Sequence, residues 1–154
     1  MAYGLIYTTQ FDGFNGQTHT LEIYKKDYDG AVTEIICGGG AVAQNWGPDE
    51  RNPEIKGCSV DIDLLNVEGN FPLSNFYSNE DNTFKIIHYK GTDITFVGFM
   101  VYDDCAEVQL DTTHNISISA NDALGLLKNV PLNQSFKTFN IINIYLDTQV
   151  IYRV

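Results

Sequence analysis

The chain has 154 residues, 44% hydrophobic and 19% charged, enough apolar material for one folded domain and too much for a disordered polymer. Its formal net charge of -11 comes from 20 acidic and 9 basic residues. So few Lys and Arg exclude a phosphate-neutralising nucleic-acid surface and disfavour an anionic membrane, while leaving calcium or a basic partner protein open.

Cys37, Cys58 and Cys105 lie far apart. An odd count without a CxxC pair fits neither a disulfide framework nor a zinc site, so they are expected to be reduced and mostly buried. The start, MAYGLIYTT, has neither a charged n-region nor a long apolar h-region, so no signal peptide is expected. No run approaches the ~20 apolar residues of a membrane span. A soluble product made in the cytoplasm is the expectation.

In chain order, short alternating segments and turns recur, without helical periodicity through the first 120 residues. Residues 3–9 and 18–25 read as a strand pair joined by FDGFNG, whose two Asx-Gly steps supply the positive φ of a tight reversal. DYDG at 27–30 makes a second reversal into 31–36. Gly38-Gly39-Gly40 reads as a bulge or bend between strands, because no GK[ST] follows to make a phosphate loop. Residues 41–46 are a further strand, followed by the polar loop 47–53.

Val60, Ile62 and Leu64 alternate with Asp61 and Asp63, the pattern of a strand with one face in water. In the looser stretch 66–82, Leu73, Phe76 and Tyr77 are expected to pin a polar connection to the core. Residues 83–90 and 93–102 read as a hairpin across Gly91-Thr92, with Phe84, Ile86, Ile94, Phe96 and Val97 as core candidates. Ile116, Ile118 and Ala120 share one face of a last alternating segment. A short helix near 122–129 follows, N-capped by Asn121 or Asp122 and stopped by Pro131. Its Leu124 and Leu127 are expected to pack beneath the sheet.

The regular spacing predicts a mainly β fold, an antiparallel barrel or sandwich with that one short helix. Residues 1–132 form the domain. The apolar stretch 133–154, with Ile142 and Ile144, is an extra hairpin or the start of a further domain.

Enzyme signatures are missing. His19, His88 and His114 are isolated, and neither GxSxG nor HExxH occurs. His88 lies in an alternating strand and reads as a partly buried or face-lining residue. Asp103, Asp104, Glu107 and Asp111 do not match calcium-loop spacing and read as a solvated loop. Tyr28, Trp46, Tyr77 and Tyr102 lie in or beside loops, where aromatic rings stack on sugars or proteins. No catalytic, cofactor-binding or metal-ligating residue is assigned.

Three pieces carry a resemblance: FYSNEDNTFKII at 76–87, VGFMV at 97–101, and ISISANDALGLLKNVPL at 116–132. Together they resemble the N-terminal domain of large tail proteins of tailed bacteriophages and prophages, in which a strand runs into an "(A)xDGLGxLKDxP"-like element. Here that element is Ala120 to Pro131, with Ala123 where Gly is usual and Asn129 where Asp is usual. LEIY at 21–24 and KGCSVDI at 56–62, in place of an "RGSxxxI"-like strand, extend the likeness more loosely.

The resemblance implies a barrel or sandwich domain of a baseplate hub or tail-tip component. It also implies other tail proteins and further copies in a trimer or hexamer ring as partners, a place in the virion tail, and no catalytic residues. Leu124, Leu127, Ile142 and Ile144 would then serve assembly packing. The competing expectation is a carbohydrate- or receptor-binding sandwich using Tyr28, Trp46, Tyr77 and Tyr102, and behind it a small β-rich enzyme.

Overall fold

The computed structural model describes residues 2–47, 57–68, 71–78, 80, 82–108, 112–122 and 124. β1 (Tyr3–Asp12) and β2 (Thr18–Lys26) form the first hairpin. Gly16 adopts φ +73° in its turn, and the Gly13 amide donates to the Gln17 carbonyl at 2.8 Å. A bulge between Leu5 and Tyr7 turns both Ile6 and Tyr7 toward the core.

The expected second reversal leads into something less simple than one strand. β3 (Thr33–Glu34) pairs with β1 in parallel, and β4 (Ile36–Trp46) pairs with β5 (Cys58–Asn66) antiparallel. Among the described residues the sheet is therefore antiparallel except for this one short ladder. Between β3 and β4 the buried Ile35 donates its amide to the Thr8 carbonyl at 2.9 Å.

The glycine run lies where the β4–β5 register shifts, between Cys37 and Val42, as a bulge requires. β6 (Phe84–Lys90) and β7 (Asp93–Met100) form the second hairpin, and β9 (His114–Asp122) pairs with β5, β7 and the two-residue β8 (Ala106–Glu107). Two 3-10 turns, η1 (Leu73–Phe76) and η2 (Tyr102–Asp104), punctuate the connections.

The strand order is β3-β1-β2-β6-β7-β9-β5-β4. Its first and last members are neighbours in the chain, so the path returns to its start at Ile35. β7 meets β9 only over Gly98–Met100, and β3 meets β1 over two residues. The result is a single open sheet that is sandwich-like, with a β1-β2-β6-β7 half and a β9-β5-β4 half joined by the short β7–β9 ladder and, at the other margin, by the chain through Ile35 between β3 and β4.

Period-two alternation sends Leu21, Ile23 and Ile86 inward from the first half, and Val60, Ile62, Leu64, Ile116 and Ile118 from the second. All are fully buried in one core. Each stabilises the fold by roughly 1.5–3 kcal/mol relative to exposure.

Phe84, Ile86 and Phe96 are core residues as expected. Ile94 is not: it is 55% exposed, and Val97 is only half-buried. Val97 pairs with Ile87 and therefore shares the outer face, while a bulge between His88 and Tyr89 changes which residues of β7 face inward near Ile94. Phe76 is buried and Leu73 packs against the core, while Tyr77 is 62% exposed and lies outside the core.

The expected helix lies almost wholly outside the described residues. Asn121 and Asp122 belong to β9, and Asp122 Oδ1 accepts the Leu124 amide at 3.2 Å, the bond an N-cap makes.

Candidate functional site

The two halves point their outer faces in opposite directions and differ in chemistry. On the second half, outward Asp61 accepts the Ser119 hydroxyl at 2.7 Å and the Asn45 amide at 3.2 Å. Asp63, Asn115, Ser117 and Asn121 continue this polar face, and the η2 turn adds exposed Asp103 and Asp104. The outward positions of β9, Asn115, Ser117, Ser119 and Asn121, are all small and polar.

The first half carries large rings where an outer face is ordinarily polar. Lys85 lies directly opposite Tyr24 on β2 and Phe99 on β7. Its ammonium sits 5.0 Å from the ring centroids of both Tyr3 and Tyr24, and Tyr3 reaches Phe99 at 6.2 Å. Burial lowers the Lys85 pKa. Tyr24 donates to Glu22 at 2.7 Å, and burial first, then that bond, pushes its phenol far above the usual value. These rings are half-buried against one another, with one aspect still open to solvent. This face is the candidate functional surface.

Inside, the two ends of the core are polar. At one end Thr95 Oγ1 donates to the His88 carbonyl at 3.1 Å and accepts from His88 Nδ1 at 2.8 Å. His88 Nε2 then accepts from His19 Nδ1 at 3.0 Å, and Phe11 stacks on His19. Burial, and secondarily the His19 charge, lowers the His88 pKa to about 4. His88 is thus the buried residue its strand pattern implies. Nearby Gln44 crosses from β4 to the Thr95 carbonyl and the Cys58 thiol, each at 3.2 Å.

At the other end Glu107 Oε1 accepts from His114 Nε2 at 2.9 Å and from Asn66 at 3.0 Å, while Oε2 accepts the Leu73 amide at 2.9 Å. Asn66 Oδ1 accepts the Phe71 amide at 2.9 Å, and His114 Nδ1 donates to the Thr112 carbonyl at 2.7 Å. Both imidazole nitrogens lie within hydrogen-bond distance of an acceptor, an arrangement that favours the protonated ring. The Glu107 bond, then the Thr112 carbonyl, raises the His114 pKa. For Glu107 burial alone would raise the pKa, but bonds from His114, Leu73 and Asn66 more than offset it and leave the value lowered. Glu107 is therefore a structural anchor for the η1 connection rather than part of a solvated loop. A lone Glu in a loop gives no sequence signal of that role.

The residues expected at a functional site are dispersed. Tyr77 and Tyr102 meet edge to face at 5.4 Å. Trp46 is 55% exposed at the end of β4. Tyr28 is partly buried, donating to the Ala31 carbonyl at 2.7 Å, and it belongs to its own turn. Leu124 is half-buried, while Leu127, Ile142 and Ile144 lie outside the described residues. The Tyr3–Tyr24–Lys85–Phe99 cluster was missed. Its signal was present as ring-bearing positions on the outward phase of three strands.

Cys58 is buried, Cys37 and Cys105 are half-buried, and all three are free thiols whose pKa values burial raises. Among the described residues no three His, Cys, Asp or Glu side chains group to hold a metal, and no helix is long and apolar enough to cross a membrane. No family model, curated protein or solved structure matches the chain.

Proposed function

We propose that this chain is a non-enzymatic structural subunit of a bacteriophage tail or baseplate, a hub or tail-tip component that holds other tail proteins in place in the virion. The observation that carries the assembly role is the outer face of β1, β2, β6 and β7, where Tyr3, Tyr24 and Phe99 surround Lys85. A sheet face of large half-buried rings suits contact with protein better than contact with water alone. The tail setting rests on the motif from Ala120 to Pro131 and the strands before it.

Peptide mass spectrometry of purified phage particles from the source culture tests this reading. Peptides of this chain at a fixed low copy number per particle are the expected result. A chain abundant in the cells and missing from purified tails overturns it.

The second reading, a carbohydrate- or receptor-binding module, is favoured by the Tyr77–Tyr102 pair, which offers one exposed ring beside Asp103 and Asp104. Saturable glycan binding lost in Tyr77→Ala supports it, and an unchanged binding curve in that variant removes it.

A further inference from the structure

β4 differs from the other long strands. Each of β1, β2, β5, β6, β7 and β9 buries residues on its inward phase, whereas β4 has no fully buried residue. Its phase is fixed by β5: Val42, Gln44 and Trp46 lie opposite Ile62, Val60 and Cys58, all of them buried. Yet Val42 and Gln44 are only half-buried, and Trp46 is 55% exposed. The core is therefore sealed up to β5 and uncovered along β4.

The cause lies in the strand order. β4 ends the sheet, and among the described residues its one ladder partner is β5. Its beginning adjoins β1, where the Ile35 amide donates to the Thr8 carbonyl and Cys37 meets Thr9. Past the glycine run, no described strand flanks residues 41–46 on the side away from β5. A bare margin beside an uncovered indole is a template for one more strand.

The chain itself supplies the occupant. β9 is antiparallel to β5, and β5 to β4, so β9 runs toward the Trp46 end. There Asp122 accepts the Cys58 amide at 2.7 Å, and Cys58 lies opposite Trp46. A strand added outside β4 would lie three spacings from β9, about 14 Å away. The residues between 124 and 141 reach about 50 Å when extended, so the distance is no obstacle. Beyond them Ile142, Ile144 and Leu146 alternate with Asn143, Tyr145 and Asp147, the pattern of a half-buried strand.

We propose that residues 141–147 of this same chain lie antiparallel along residues 41–46 of β4, with Ile142, Ile144 and Leu146 covering Trp46 and Val42. The added strand pairs the backbone groups of the margin and completes the core. It also withdraws that margin from pairing with other chains, and leaves the Tyr3–Tyr24–Phe99 face as the surface for partners. The inference does not rest on the tail setting.

Trp46 is the single tryptophan of the chain, so intrinsic fluorescence reads its cover directly. The full chain is compared with Ile142→Asp, Ile144→Asp and Asn143→Asp by emission maximum, acrylamide quenching and amide hydrogen exchange, each over a range of concentration. The wild type should show blue-shifted emission at every concentration, and slow exchange at the amides of 41–46 that point away from β5. In Ile142→Asp and Ile144→Asp the emission should move toward that of the unfolded chain. The same amides should exchange at least about tenfold faster, while β5 and β9 stay protected. Asn143→Asp, on the opposite phase, should match the wild type. Should an aspartate variant fail to fold, Ile144→Ala reads the same contact in milder form, as a rise in quenching.

A wild type with Trp46 open to quencher and unprotected margin amides overturns the proposal, and leaves β4 to a different protein. Cover that appears only as concentration rises also overturns it, because a second copy is then the occupant. Cover that survives unchanged in the folded isoleucine variants, or is lost equally in Asn143→Asp, removes residues 141–147 from the margin.

Discussion

Glu107 and His114 form an ion pair at 2.9 Å, and the same carboxylate holds the Leu73 amide, so one side chain fastens the η1 connection to the end of β9. His114 is raised above its ordinary 6.5, so its contribution is complete below pH 6.5 and is lost as pH rises through the folded value. Glu107 is lowered below 4.5, so its contribution is present above pH 4.5 and is lost as pH falls through the folded value. The pair is at full strength between those limits. Glu107→Gln should lower Tm most at about pH 6, and the gap from wild type should narrow toward about pH 9. An equal gap at both pH values, measured by thermal melts, would contradict the assignment.

His88 acts in the opposite sense. Its folded pKa of about 4 lies below the ordinary 6.5, so stability is full above pH 6.5 and falls between there and pH 4 as the unfolded chain takes up the proton. The loss is on the order of a few kcal/mol at most, reduced by solvent screening. His88→Leu should flatten this acid limb while lowering stability at neutral pH, since Thr95 and His19 lose a partner. Urea titrations at both pH values measure the two effects.

The inward set on β5 and β9 is distinguished from the outward residues by truncation. Ile62→Ala or Ile116→Ala should cost about 2–5 kcal/mol, because each side chain is fully buried and leaves a cavity. Ile94→Ala, at an exposed position, should stay within about 0.5 kcal/mol. Chemical denaturation with a constant m-value checks all three.

Glycines separate in the same way. A Cβ at Gly98 meets the Asn121 carbonyl and the Phe96 ring at the narrow β7–β9 ladder, whereas a Cβ at Gly39 meets nothing within 4 Å. Gly98→Ala should therefore destabilise by about 1–3 kcal/mol through overpacking, and Gly39→Ala should be close to neutral. Comparable melts for the two variants would refute the close approach at Gly98.

Much of the fold was legible because period two is strong where one face is apolar. Val60, Ile62 and Leu64 against Asp61 and Asp63, and Ile116, Ile118 and Ala120 against polar neighbours, announce both strands and their inward faces. The glycine run announced its bulge. Local pattern could not place Ile94 or Tyr77, since a bulge at His88 and a turn at η1 decide their facing, and both are set by tertiary register. It could not show that β3 pairs in parallel with β1, because two residues carry no period. The candidate surface was hidden for a related reason: Tyr3, Tyr24, Lys85 and Phe99 come from four strands and become neighbours only after the sheet is ordered.

That strand order also bears on how the chain is made. β2 lies between β1 and β6, yet β2 ends at Lys26 and β6 begins at Phe84. During synthesis the first hairpin must wait with one margin of β2 unpaired until the second hairpin has left the ribosome. Nascent chains stalled before Phe84 are accordingly the species most in need of a chaperone, and slow translation between the two hairpins should lower the soluble yield.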